Sequence, residues 1–144
     1  MKYISWKYPF LTCLVMILLL SRDGLAIGRM GLLAALLHEA GHAWAYFLLM
    51  GRLPRISISP AGIGLEAPQS DFTPRELLIL AAAGPAVNLA LGGLCFLAMQ
   101  IQASYGGYWF GGVNLWMGLF NLIPLGGLDG ARIRQALEEM GQGY

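Results

Sequence analysis

Leu36-Leu37-His38-Glu39-Ala40-Gly41-His42-Ala43-Trp44 is the stretch on which the reading of this chain turns. On a helix the two histidines, four residues apart, share one face, and Glu39 lies about 100° round from His38 at the border of that face. This is the HExxH pattern: two neutral imidazoles hold one Zn²⁺, and the carboxylate between them is placed to take a proton from water rather than to ligate. His38 and His42 are the only two histidines in the chain.

The surroundings decide the fold class. From Leu25 to Met50 nearly every other residue except Arg29 is apolar or small. An ionisable side chain at the centre of a bilayer costs about 2.5–3.5 kcal/mol on insertion scales, so such groups within an apolar span mark function. The whole chain agrees: 144 residues, 57% hydrophobic and 12% charged, with a mean hydropathy of +0.61. That composition predicts an integral, all-α membrane protein rather than a soluble domain. The net charge of +1 and the lack of a basic, aromatic-interleaved tract exclude nucleic acid as a partner. Cys13 and Cys95 lie in apolar runs without metal-type spacing and imply no disulfide framework.

Working outward, the sequence predicts a single membrane domain over residues 1–144 with four transmembrane helices, at about 8–27, 29–50, 77–101 and 109–125. The first follows Lys2 and Lys7. It resembles a signal-peptide core in length, but no small-x-small cleavage site follows, and Trp6 and Tyr8 suit the anchors of a retained span. Gly51, Arg52 and Pro54 end the second. Residues 55–66 then alternate apolar with small or polar residues around Pro60-Ala61-Gly62, which predicts a β-hairpin. Such a hairpin must avoid lipid at its edges, and it either connects spans or offers an edge to an extended substrate. Thr73 is the expected N-cap of the third span, with Pro74 at its first position.

Within that third span, Ala83-Gly84-Pro85-Ala86-Val87-Asn88 reads as close helix packing with Asn88 bonding between helices, or as a loosened helix with Asn88 offered to a bound peptide. The aromatic stretch 103–109 reads as a turn that marks a membrane surface. After the fourth span, Pro124 and Gly126-Gly127 predict an unwound segment lining the site. Asp129 is the natural third ligand, though it also suits the N-cap of a final amphipathic helix at about 131–140 with an Arg134/Glu138 pair.

With a cytosolic N-terminus, Lys2, Lys7, Arg52, Arg55, Arg75, Arg132 and Arg134 fall inside and only Arg22 and Arg29 outside. Both termini are then cytosolic, and His42 lies about 12 Å from the inner end of its span, within reach of Asp129.

In chain order, HEAGH, Ala83-Gly84-Pro85-x-x-Asn88 and Asn121-x-x-Pro124-x-x-x-x-Asp129-Gly130 resemble the site-2 protease family of intramembrane zinc metalloproteases. The resemblance covers about residues 25–130. It implies His38, His42 and Asp129 as ligands of one Zn²⁺ per chain, Glu39 as the general base, and Asn88 and Asn121 as residues that hold the substrate. The implied activity is cleavage of a transmembrane or membrane-associated segment in a bacterial plasma membrane, near the cytosolic side. The chain looks most like the compact branch concerned with sporulation-factor processing and has no PDZ insertion. Its short end after Asp129 fits a minimal form or a fragment, and a second copy or a regulatory membrane partner is left open. An inactive membrane scaffold and a metal carrier are the alternatives from other classes.

Overall fold

Residues 4–21, 24, 26–59, 62–66 and 71–142 are described by a computed structural model. The order of elements is β1 (Ile4–Trp6), α1 (Pro9–Ser21), α2 (Ile27–Met50), β2 (Arg55–Ser59), β3 (Gly62–Glu66), α3 (Pro74–Met99), α4 (Tyr105–Asn121) and α5 (Asp129–Gly141). Helices dominate, as the composition requires.

Among the described residues, two helices are long and apolar enough to cross a bilayer, α2 with 24 residues and α3 with 26. At 1.5 Å per residue they measure about 36 and 39 Å, against a hydrocarbon core of about 30 Å. The other two expected spans are shorter: α1 has 13 residues and α4 has 17. The first expected span, 8–27, is shorter as a helix: α1 ends at Ser21, and Ala26, in a left-handed conformation (φ 59°), precedes the start of α2 at Ile27. The fourth begins earlier than expected. Ser104 accepts a hydrogen bond from the Gly107 amide and caps α4, so most of the aromatic stretch is helix rather than turn.

Local chemistry sets the other boundaries. Gly51 ends α2 in the left-handed region (φ 64°), its amide bonded to the Phe47 carbonyl. At α3 the expected cap is present in reciprocal form: Glu76 N donates to the Thr73 hydroxyl, and Thr73 N donates back to the Glu76 carboxylate at 2.8 Å. The final helix begins at Asp129, two residues earlier than expected; Leu128 is its N-cap, so Asp129 sits inside the first turn. Arg134 and Glu138 pair at 3.2 Å.

The hairpin forms, with β2 antiparallel to β3 and Ser57 opposite Gly64. Its turn at Pro60-Ala61 lies outside the described residues. A third strand was not foreseen: β1 pairs in parallel with β2, giving the order β1-β2-β3 and leaving β3 at one edge. The Ser5 hydroxyl donates to Glu66 at 2.9 Å and Lys7 lies 3.3 Å from the same carboxylate, holding Glu66 below the usual carboxylate range.

The packing is inverted relative to a soluble protein. α3 touches α2, α4 and α5, and the positions where they meet are small or polar: Ala34, Gly41, Gly84, Asn88, Gly92, Gly111, Asn114, Gly118 and Ala136 are all buried. Large apolar side chains point outward, including Trp44, Leu48, Leu97 and Trp116, each about two-thirds exposed or more (65%, 66%, 67% and 72%). That arrangement suits lipid as the solvent, where close backbone approach replaces hydrophobic burial as the source of helix association. A small apolar cluster of Ala45, Tyr46 and Leu80, extended by Leu65 and Phe72, fastens the hairpin to α2 and α3.

Candidate metal centre

α2 and α3 run antiparallel, and their contact stripe repeats every fourth residue. Leu80, Gly84 and Asn88 on α3 face His42 and His38 on α2. The His42 Nδ1–H donates to the Leu80 carbonyl at 2.8 Å, and His38 Nδ1 lies 2.7 Å from Asn88 Oδ1. Gly84, between them, leaves room for both rings: a Cβ there would stand 2.7 Å from His38 Nε2 and closer still to His42 Nε2. Gly41 permits the close approach itself, since a Cβ at that position would meet the Ala83 carbonyl at 2.8 Å.

The carboxylate arrives from the far end of the chain. α4 ends at Asn121, and the segment from Leu122 to Leu128 turns back so that α5 packs against α3 and its first residue, Asp129, reaches the histidines of α2. Gly130 makes this closure sterically allowed, because its missing side chain would collide with the Leu122 and Ile123 carbonyls. Asp129 is thereby buried, with Oδ2 at 3.0 Å from His38 Nε2 and 3.2 Å from His42 Nε2; the two Nε2 atoms are 3.1 Å apart.

Three atoms at these distances have a definite chemistry. A backbone carbonyl only accepts, so His42 carries its proton on Nδ1; His38 Nδ1 faces an amide oxygen and does the same. Both Nε2 lone pairs then point at each other and at a carboxylate oxygen, with no donor among them. Such a convergence of acceptors calls for a cation. Ligands on a tetrahedron with bonds of about 2.1 Å stand about 3.4 Å apart, close to the observed triangle, so the donor set fits Zn²⁺. Among the described residues, His38, His42 and Asp129 form the one group able to hold such an ion.

Around this triangle lies a cavity of about 240 Å³. Glu39, half-buried, lines it together with Asn121, Arg132, and Gly64 and Leu65 of β3. Asn121 bonds through Nδ2 to the Met117 carbonyl of its own helix at 2.9 Å. Asn88 is placed differently. It has no exposed surface, and its amide is bonded to His38, Ala34 and Asn114 rather than turned toward the cavity. The structure therefore puts Asn88 behind the two histidines, bonded between helices.

Two residues escaped sequence reading. Arg132 Nη1 lies 3.6 Å from Asp129 Oδ1, and the i,i+3 spacing on a helix was a usable signal for it. Asn114 is as fully enclosed as Asn88, but an asparagine within an apolar helix carries no mark of its partner.

Comparison with known proteins agrees with this geometry. A family model described as Peptidase M50B-like matches residues 10–125. The chain is 33% identical over 126 residues to Rip3 of Mycobacterium tuberculosis, a protein named as a zinc metalloprotease, in both the Erdman and H37Rv strains. The match covers 76% of this chain and 30% of Rip3, so the chain spans about a third of that relative's length. Among solved structures, the site-2 protease from Methanocaldococcus jannaschii superposes with a TM-score of 0.73 over 100% of this chain and 71% of its own, at 22% identity, which establishes a shared fold. The chain belongs to the site-2 protease family of membrane-embedded metallopeptidases.

Proposed function

We propose that this protein is an intramembrane zinc metalloendopeptidase that cleaves a transmembrane or membrane-associated protein segment. The observation that carries the reading is the triangle of His38 Nε2, His42 Nε2 and Asp129 Oδ2, three acceptors within 3.2 Å of one another beside a carboxylate that is not needed as a ligand. One Zn²⁺ per chain would be held by those three atoms, and when bound it supplies Lewis acidity to a carbonyl and to water. Glu39 takes the proton of the attacking water and returns it to the nitrogen of the departing amine as the peptide C–N bond breaks.

A membrane helix hides its amide bonds, so the substrate must unwind before it is cut. The edge strand β3 supports a way to hold it: Gly64 and Leu65 line the cavity, and an extended segment pairing with that edge would be carried past Glu39. Asn121, at the cavity wall, is offered as a substrate contact. In this reading α1 and α4 join α2 and α3 as four membrane segments in a bacterial plasma membrane, with both termini and the cavity toward the cytosol. α1 and α4 then need local thinning of the bilayer or cover from neighbouring protein, because they are short.

The test is cleavage of a co-reconstituted single-span substrate library by the purified chain, with bound zinc measured in the same preparation. Glu39→Gln should keep one zinc per chain and lose cleavage by about 10²–10⁴-fold. Full zinc with no cleavage by the wild-type chain on any substrate would favour an inactive scaffold, and cleavage by Glu39→Gln at the wild-type rate would remove the general-base assignment.

A further inference from the structure

His42 has its tautomer set by a backbone carbonyl in direct contact, but His38 does not. Its Nδ1 faces a side-chain amide, and an amide can present either an oxygen or an NH₂ group. What decides which end of Asn88 meets His38 lies further away. We propose that Asn114 and Asn88 are positioning residues, a relay of two buried amides crossing from α4 through α3 to α2 that holds His38 with its proton on Nδ1 and its Nε2 lone pair free for the metal.

The relay is anchored by two groups that can only accept. Asn114 Nδ2 donates to the Phe110 carbonyl at 2.9 Å, which turns Asn114 Oδ1 toward Asn88. Asn88 Nδ2 has two hydrogens and two acceptors for them, the Ala34 carbonyl at 3.2 Å and Asn114 Oδ1 at 2.8 Å. Asn88 Oδ1 is thus left facing His38 Nδ1 at 2.7 Å, and the imidazole must donate. Turning Asn88 over would bring its oxygen against both the Ala34 carbonyl and Asn114 Oδ1. Turning Asn114 over as well would leave the clash at Ala34 and add one of oxygens at Phe110. Both asparagines are wholly enclosed (0% exposed), so water is not at hand to relieve a wrong orientation.

The consequence reaches the ligand triangle. With the proton on Nε2, His38 would aim a hydrogen at the point where His42 Nε2 and Asp129 Oδ2 converge, and would be lost as a ligand. Outer partners of metal-bound histidines commonly change metal affinity by about 10- to 100-fold. This inference rests on the metallopeptidase reading for its importance, but its test does not depend on activity.

Because the chain has only two histidines, ¹⁵N-histidine labelling reports His38 and His42 alone, provided that purification uses a tag without histidine. Spectra of metal-stripped protein in nanodiscs, at a pH well above the ordinary imidazole pKa of about 6.5, read the tautomer of each ring. In the wild type both rings should carry the proton on Nδ1. Asn114→Ala, which leaves the Asn88–His38 contact in place but removes the nearer of the two acceptors that orient the Asn88 amide, should turn His38 into a mixture of tautomers, leave His42 unchanged, and weaken Co²⁺ binding by about 10-fold or more. Asn88→Leu should do the same to a greater extent. A wild-type His38 protonated on Nε2 would overturn the relay, even if Asn88→Leu fails to fold. So would an Asn114→Ala protein with the wild-type His38 spectrum and Co²⁺ affinity. A wild-type chain with the expected spectrum that binds neither Co²⁺ nor Zn²⁺ would end the metallopeptidase reading and leave the relay standing.

Discussion

Replacing Gly84 with alanine adds one methyl group at the point where the two imidazoles meet. The new Cβ would stand 2.7 Å from His38 Nε2, whereas ordinary contact begins at about 3.4 Å, so the ring must retreat by about 0.7 Å (3.4 − 2.7), and His42 must retreat further. Metal–ligand distances tolerate only about ±0.2 Å. Neither ring can move without giving up an outer hydrogen bond. His38 is tied to Asn88 at 2.7 Å and His42 to Leu80 at 2.8 Å, each inside a buried contact. Moving α3 away as a body would instead open the close approach of Gly41 to Ala83. Overpacking of this kind costs about 1–3 kcal/mol. In the metal-free chain the rings can turn aside and relieve much of it; in the zinc-bound chain they cannot. The strain therefore falls on binding, and 1–3 kcal/mol corresponds to a loss of about 5- to 150-fold in zinc affinity.

The assay is zinc titration against a chromophoric chelator in detergent, with thermal denaturation of the metal-free proteins to verify that Gly84→Ala still folds. Gly93→Ala is the control, because it lies on the same helix and a Cβ there has nothing within 4 Å. Gly93→Ala should bind zinc as the wild type does. If Gly84→Ala also binds within about twofold of the wild type, the small residue at 84 is not what makes room for the ligands.

Asp129→Ala removes one corner of the triangle and should reduce bound zinc to about a tenth of the wild-type amount, measured by elemental analysis after purification. Zinc should raise the melting temperature of the wild-type chain in a concentration-dependent way and should not raise that of Asp129→Ala. Thr73→Ala breaks the reciprocal cap at the start of α3 and should cost about 1 kcal/mol in denaturant unfolding, with zinc content unchanged. The lowered pKa of Glu66 makes its contribution to holding β1 fully present above the unfolded-state value of 4.5 and lost as the pH falls through the folded value. Hydrogen exchange at the Lys7 amide, bonded to the Ile58 carbonyl at 2.8 Å, should therefore gain protection as the pH rises towards 4.5 and keep it above that value in the wild type, and Glu66→Gln should abolish that step.

What could be read from sequence was whatever local spacing dictates. His38 and His42 share a helix face, Thr73-Pro74 marks a helix start, Pro124 with two glycines marks an end, and the alternation over residues 55–66 marks a hairpin. That Asp129 would lie beside the two histidines was legible because a zinc site of the expected kind needs a third ligand and few acidic residues were free to serve. What stayed hidden depended on contacts between distant segments. β1 is three residues long, and it is a strand because Ser5 and Lys7 reach Glu66 and because β2 lies alongside, which no periodicity of so short a piece announces. The start of α2 at Ile27 turns on the backbone of Ala26, a residue with no preference for that conformation. Asn114 is one polar residue among aromatic and glycine neighbours, and its part becomes visible only when α2, α3 and α4 stand together.

The same dependence on assembly explains why glycine, rather than a larger apolar residue, recurs at the centre. Where lipid surrounds the helices, filling the interior with leucine gains little, because leucine is as well solvated outside as inside. Close backbone approach then fixes where the helices sit. Gly41 sets the spacing of α2 against α3, Gly118 sets α4 against the Pro85 carbonyl, with a Cβ there predicted at 3.1 Å, and Gly130 sets α5 against the end of α4. Each ligand is held a short distance from one of these contacts: His38 and His42 flank Gly41, and Asp129 adjoins Gly130. A ligand triangle 3.0–3.2 Å on a side thus inherits its accuracy from backbone-to-backbone contacts that cannot relax by changing a rotamer. Added bulk at glycines such as 41, 84 and 130 should disturb the metal centre, while the same methyl group at Gly31, Gly93 or Gly112, where nothing lies within 4 Å, should pass unnoticed.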